Sequence, residues 1–397
     1  MSKPAGGIPR YRPYAGPALF QQGFRPFFLG AALWAAVGMA IWLSLFLGDI
    51  ELPIAVDPVV WHAHEMVFGF AAAALGGFLL TAIPNWTGRM PLQGWPLALL
   101  VASWLAGRVA MLVGAIIGPV ATALLDLSYL GALLVVVLRE ILAGRNWRNL
   151  PMPGALLVLS AANLLVHLGA AGYGGPMLGI RLAIGVLLML IGLVGGRIIP
   201  SFTRNWLVKQ GAVSLPAAFG AIDKIALAVS ALGLAAWVAI LPAAAGPLLI
   251  VAGVAAAVRL ARWRGHATGS EPLVVVLHLG HLWLALGLAV LGISQLWPIV
   301  PASAAVHMLT AGAIATMILA VMTRASLGHT GRALEAGIGT TLIFGLVSAA
   351  ALLRVAASLA SDAYVPLLLA ASVSWIAAFL LFAVLYGPAL LTARPQI

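Results

Sequence analysis

The sequence contains no cysteine. Disulfides and thiolate metal sites are therefore excluded, and any soft metal must be held by histidine or methionine. Avoidance of thiols suits a chain that meets copper or reactive nitrogen, but low cysteine usage in membrane proteins explains it equally well. Charge is scarce too: 8% of the 397 residues are charged, whereas 63% are hydrophobic. A soluble domain carries roughly a quarter charged residues because its surface must face water. Lipid must therefore solvate most of this chain. The first 24 residues hold Lys3, Arg10 and Arg12 among proline and glycine, with no apolar core before a cleavage site, so no cleavable signal peptide is expected.

Long apolar runs are what the sequence has instead. A span needs about 20 apolar residues. Windows of that length, bounded by Gly, Pro and Arg, predict helices over 26–47, 61–83, 95–117, 119–139, 152–172 and 176–199, then 217–241, 243–262, 273–297, 301–323, 335–359 and 363–391. The expected fold is an all-α polytopic membrane protein of twelve transmembrane helices. Residues 1–25 form a cytoplasmic segment and 26–397 one membrane domain. The 13 Trp and 24 Pro fit that solvent, since Trp anchors at the interface and Pro is tolerated in spans.

The basic residues test this count. Arg and Lys collect in short cytoplasmic loops. The N-terminal segment holds Lys3, Arg10, Arg12 and Arg25. Alternate loops then carry Arg89; Arg139, Arg145 and Arg148; Arg197, Arg204 and Lys209; Arg259, Arg262 and Arg264; Arg324 and Arg332; and last Arg394. The intervening loops have no Arg or Lys, and the first holds Asp49, Glu51 and Asp57. Both termini are thus expected in the cytoplasm. The net charge of +11 is a topology signal, and no nucleic-acid role follows from it. A weak repeat accompanies the pattern. His64 precedes Arg89 by 25 residues and His307 precedes Arg332 by 25, each ending in Thr-Gly-Arg. Arg181 begins another such span, giving starts 117 and 126 residues apart and units of four helices over 26–145, 150–265 and 270–395.

Ionisable residues inside spans are costly and informative. Arg108 and Asp126 flank the turn at Gly118 at matching depth and are expected to pair. Asp223 and Lys224 on the seventh span are expected to bridge near the cytoplasmic interface. Arg181 and Arg354 lie near extracytoplasmic helix ends, where they can snorkel or bind propionate-like carboxylates.

Among the eight histidines, His266 reads as solvated. His62, His64, His167 and His307 share the extracytoplasmic half of the bilayer, on three helices. His278, His281 and His329 lie on the cytoplasmic side. A single histidine in a span is more often a hydrogen-bonded packing residue than a ligand. Four at one depth are what a haem or copper site in a helix bundle needs. Positions two apart on an α-helix point about 200° apart, so His62 and His64 are expected to have separate roles. Glu65 beside them is positioned to orient an imidazole or accept protons. The 11 Met show no repeated Met-x-x-Met pattern that would line a copper pathway.

Phe24-Arg25-Pro26-Phe27-Phe28, then Trp61-His62-Ala63-His64-Glu65-Met66, then Pro84-Asn85-Trp86-Thr87-Gly88-Arg89 resemble the NnrS family. So does the stretch from His307 through Val321-Met322-Thr323-Arg324-Ala325-Ser326-Leu327-Gly328-His329-Thr330-Gly331-Arg332. The resemblance covers nearly the whole chain and is weakest over 205–270. It implies a multi-pass protein of the bacterial inner membrane that contains haem b and copper and serves in denitrification, the nitric oxide response and nitrosative stress. It carries His62, His64, Glu65, His307 and His329, with Arg25, Arg89, Arg324 and Arg332, and less distinctively His167 and His278. A looser architectural similarity is to the haem–copper oxidase and nitric oxide reductase catalytic subunit. The His-His pair expected on its seventh span is missing, since residues 217–241 hold no His.

The expected function is binding of haem and copper and action on nitric oxide, as an oxidoreductase if the chain is an enzyme. His307 and one of His62 or His64 would ligate haem iron, with Arg181 and Arg354 toward its carboxylates. The other of that pair, with His167, would hold copper or supply a second axial position. His278 and His329 would form a second metal site on the cytoplasmic side. The electron donor is not legible. The alternative is a transporter or sensor of metal, haem or a small solute.

Overall fold

A computed structural model describes residues 14–393, and among these every regular element is helical. Twelve helices are long and apolar enough to cross a membrane. They are α1 (Phe24–Leu47), α2 (Pro58–Thr87), α3 (Trp95–Leu112), α4 (Pro119–Ala143), α5 (Trp147–Ala170) and α6 (Pro176–Lys209). The second half has α7 (Ala221–Val238), α8 (Pro242–Arg262), α9 (Pro272–Leu296), α10 (Ala302–His329), α11 (Ile338–Leu359) and α12 (Ser361–Leu391). Consecutive helices pack together and α12 closes the bundle against α1. The most buried spans are α2, α9 and α10. Outward faces carry Val109, Leu124, Val135 and Val254, large side chains left uncovered because the bilayer is their solvent.

Proline opens many of the helices. Pro58, Pro119, Pro176, Pro242 and Pro272 stand at first positions, and Pro151 opens the α-helical part of α5 after a 3-10 turn at Trp147–Asn149, places where the missing N–H costs nothing. Pro200 is accommodated inside α6, which runs ten residues past the end expected at 199. Small residues let helices approach. A Cβ at Gly77 would meet the Phe28 ring at 2.8 Å, and one at Gly253 would meet the Ala285 carbonyl at 2.6 Å.

Three spans depart from the α-helical register. Wider π-helical turns occupy Glu65–Ala71 in α2, Ile191–Gly195 in α6 and Met308–Ile314 in α10, four spans apart. Such turns disturb the backbone ladder and cluster at functional sites. Carbonyls here find other partners: Trp104 Nε1 donates to Gly69 at 2.9 Å and Arg259 Nη1 to Gly192 at 3.2 Å.

Several charges sit differently from the expectation. Arg25 belongs to α1 rather than to a solvated tail, with 1% exposure. It donates to the carbonyls of Ala389, Leu390 and Thr392, which brings the start of α1 to the end of α12. Arg197, Arg204 and Lys209 are on α6, not in a loop. Arg324 is on α10 over the Phe202 ring at 4.0 Å. Asp223 pairs with Arg259 at 3.0 Å and with Arg262 at 3.5 Å, not with Lys224. Both arginines lie one helix away on α8, whereas Lys224 follows Asp223 directly and points off by about 100°. Lys3, Arg10, Arg12 and Arg394 lie outside the described residues.

The charge bias predicts that the end of the bundle bearing the start of α1 and the end of α12 faces the cytoplasm. The absence of native cysteine makes this testable. A cysteine replacing Asp49 should react with a membrane-impermeant maleimide added to intact cells, and one replacing Glu335 only after lysis. The opposite labelling pattern would invert the orientation.

Candidate functional site

Near the end of the bundle remote from the termini, His62 and His307 line one cavity of about 380 Å³. Its volume falls within the roughly 300–1,000 Å³ common for small-molecule and cofactor sites. The walls are largely apolar, from Met66, Val67, Phe70, Ile184 and Trp375 among others, and Arg181 and Arg354 also reach it. Pro58 starts α2 and Ala302 starts α10, and both imidazoles therefore fall in the first turns, just before the π segments.

The surroundings of each ring show what it can do. His307 Nδ1 lies 2.7 Å from the Ser303 carbonyl, so it carries the proton and leaves the Nε2 lone pair unengaged. Ser303 Oγ also accepts from Arg354 at 3.2 Å, and Arg354 donates to Ser358 at 2.7 Å. His62 stacks on Trp42 with centroids 4.1 Å apart. Its buried Nδ1 has no hydrogen-bond partner. Arg181 is held over the Trp237 ring at 5.5 Å.

His64 faces the opposite way, into a polar cluster built across five helices. Its Nδ1 is 2.9 Å from Glu65 Oε1, and its Nε2 is 3.0 Å from Asp126 Oδ2 and 2.9 Å from Asn163 Oδ1. His167 Nε2 reaches the same Asp126 oxygen at 2.9 Å, and Asn163 Nδ2 donates to it at 2.7 Å. Arg108 donates to Glu65 Oε2 at 2.6 Å and pairs with Asp126, while Trp34 Nε1 donates to Glu65 at 2.7 Å. The Arg108–Asp126 pair is thus present, joined by Glu65 as a second carboxylate. Two carboxylates and one guanidinium leave one negative charge. A proton on the imidazoles or a bound cation would neutralise it. Ligand atoms of His64, Asp126 and His167 lie within 4.8 Å of one another, an N,N,O set of the kind that suits copper, zinc or iron.

The four histidines of this layer are divided between two neighbouring places, His62 with His307 and His64 with His167, and Glu65 belongs to the second. His278 and His329 have different neighbours. His278 Nε2 is 2.8 Å from Thr203 Oγ1, and His329 lies against the Phe24 ring at 5.5 Å. His281 packs on Trp263 at 4.6 Å with neither ring nitrogen partnered. His266 is exposed. Sequence reasoning assigned no role to Asn163, Trp34 or Ser303. The first was findable, because Asn163 and His167 are four apart and share a face of α5.

A twelve-span helical membrane protein with paired imidazoles and guanidinium groups on one internal cavity is the class these features define. The chain belongs to the NnrS family: the family model for NnrS protein matches residues 18–394. Among curated proteins none matches the chain.

The buried cluster makes a mechanical prediction. Arg108→Met strands two carboxylates in a low dielectric and should cost about 3–5 kcal/mol of stability. Unfolding titrations of the purified protein measure it. Arg108→Met combined with Glu65→Gln and Asp126→Asn should recover a large part of that loss. No recovery would show that the charges are not what holds the cluster.

Proposed function

We propose that this chain is a haem b and copper protein of the bacterial inner membrane that acts in the response to nitric oxide. One observation carries the haem reading: two imidazoles from distant spans meet at a single apolar cavity that also holds two arginines, with His62 Nδ1 buried and unpartnered and His307 bonded through Nδ1 so that its Nε2 remains available. A buried imidazole nitrogen without a partner is costly, and ligation is the chemistry that would satisfy it. His62 and His307 would hold the haem iron, and Arg181 and Arg354 on the same cavity would be available to its carboxylates. Haem iron, when bound, supplies a centre with high affinity for nitric oxide. The Ser303 carbonyl fixes the His307 tautomer, an outer-shell contact typical of ligating histidines.

Copper would sit at His64, Asp126 and His167, with Asn163 beside them. In this reading Glu65 and Arg108 are positioning residues that orient His64 and balance charge. The carrier alternative gains little support, because α2, α6 and α10 run continuously past the cavity without the broken helices typical of transporter sites.

The purified protein should show a haem Soret band, oxidised and dithionite-reduced, that shifts on addition of nitric oxide. His62→Ala and His307→Ala should each abolish or strongly alter that band. His167→Ala and Asp126→Asn should lower copper content by metal analysis and leave the haem band in place. A colourless, metal-free protein from haem-sufficient cells removes the reading. Formation of nitrous oxide under reducing conditions would make the protein an oxidoreductase, and its absence a nitric oxide binder.

A further inference from the structure

Next to the His62–His307 cavity, toward the basic end of the bundle, lies a second one of about 100 Å³. Ala71 of α2, Leu187 of α6 and Ile314 of α10 line both, so the two cavities abut along the axis these spans enclose. Their linings differ in kind. The first carries imidazoles and guanidinium groups, whereas no polar side chain lines the second.

That composition decides what can occupy it. A water molecule needs only about 10–15 Å³ of such space, but it also needs two to four polar partners, and comparable apolar cavities stay dry and take up benzene or xenon. The Gly192 carbonyl at the π turn of α6 offers no substitute: it is outside the cavity lining and is bonded by Arg259 at 3.2 Å. The cavity also meets the outer surface. Its lining residues Leu75, Phe78, Leu190, Val194 and Ile318 are partly exposed, on spans whose surroundings are lipid. Small uncharged diatomic molecules dissolve better in hydrocarbon than in water, so the bilayer is their richer source.

We propose that this second cavity binds a small apolar gas and passes it from the lipid to the His62–His307 cavity. The identity of that gas as nitric oxide rests on the function proposed above. The same lining makes the axis a poor conductor of protons. Any proton supply must come by another side of the bundle.

Xenon is the probe, because it needs no haem. The full-length protein in nanodiscs under xenon pressure should show xenon between α2, α6 and α10, by anomalous scattering from crystals or by xenon NMR. Gly195→Leu should exclude it. A Cβ at Gly195 would meet nothing nearer than Met317 Cε at 3.5 Å, so the backbone there tolerates a side chain that fills the space. Should that variant not accumulate, Ala74→Leu fills the cavity from α2. In either variant, nitric oxide association with the haem protein should slow by on the order of tenfold, an effect on arrival rather than affinity, with dissociation unchanged. A cavity without xenon, one holding ordered water or an acyl chain, or unchanged association in a filled cavity overturns the inference. A protein without haem overturns the cofactor assignment instead and leaves the xenon result standing.

Discussion

Two carboxylates buried in the middle of a lipid-solvated bundle impose the constraint from which much else follows. Glu65 and Asp126 are fully shielded from solvent, and ions so placed each cost several kcal/mol unless opposite charge and hydrogen bonds surround them. Arg108 from α3 supplies the charge, while Trp34 from α1 and Asn163 and His167 from α5 supply donors. The first five spans are thereby tied at one level. His64 is held on this side of α2, and His62, two positions away, must emerge on the other side, where α10 brings His307. The polar cluster fixes the rotation of α2, and that rotation places one wall of the cavity.

Along the axis enclosed by α2, α6 and α10 the chemistry changes abruptly. In the half remote from the termini, imidazoles and guanidinium groups interrupt a largely apolar wall, and only apolar side chains line the next. The π turns of α2 and α10 end at this boundary, at Ala71 and Ile314, and that of α6 lies beside the second cavity. Their spacing, four spans apart, supports a molecule built from three four-helix units, as the repeated Thr-Gly-Arg endings suggest. Elsewhere, polar contacts secure the closure of the bundle: Arg25 on the end of α12, Asp223 with Arg259 between α7 and α8, and Thr340 with Tyr386 at 2.8 Å between α11 and α12.

The number of spans was legible because hydropathy and the alternation of arginine report the same quantity independently. The divergence of His62 and His64 followed from helical geometry, and the pairing of Arg108 with Asp126 from their equal distance to Gly118. What the sequence hid was lateral. Depth along the membrane can be read from position in a span, but which helix faces which cannot. Thus His62, His64, His167 and His307 were legible as one layer, with separate roles for His62 and His64, but which of that pair joins His307 and which joins His167 was not. Glu65 appeared only as a neighbour of histidine, although its main partners, Arg108 and Trp34, are on other helices. Asp223 was matched with the adjacent Lys224 because a partner on α8 is invisible without the fold. The π turns have no distinctive sequence mark: each contains glycine, as at Gly69, Gly192 and Gly312, but so do many spans that stay α-helical.

Those widened turns have a consequence for how such a chain can vary. A π turn holds one residue more than the α-helical turn it replaces, which is to say that it behaves as a tolerated insertion. Removing any single residue between Glu65 and Ala71 would let the ladder revert to the tighter register and swing everything before it by about 100°. His62 and His64 would then leave their stations together, although neither had been altered. Length in these few residues is therefore held as firmly as the identity of any side chain they position, and the same holds for Met308–Ile314 behind His307.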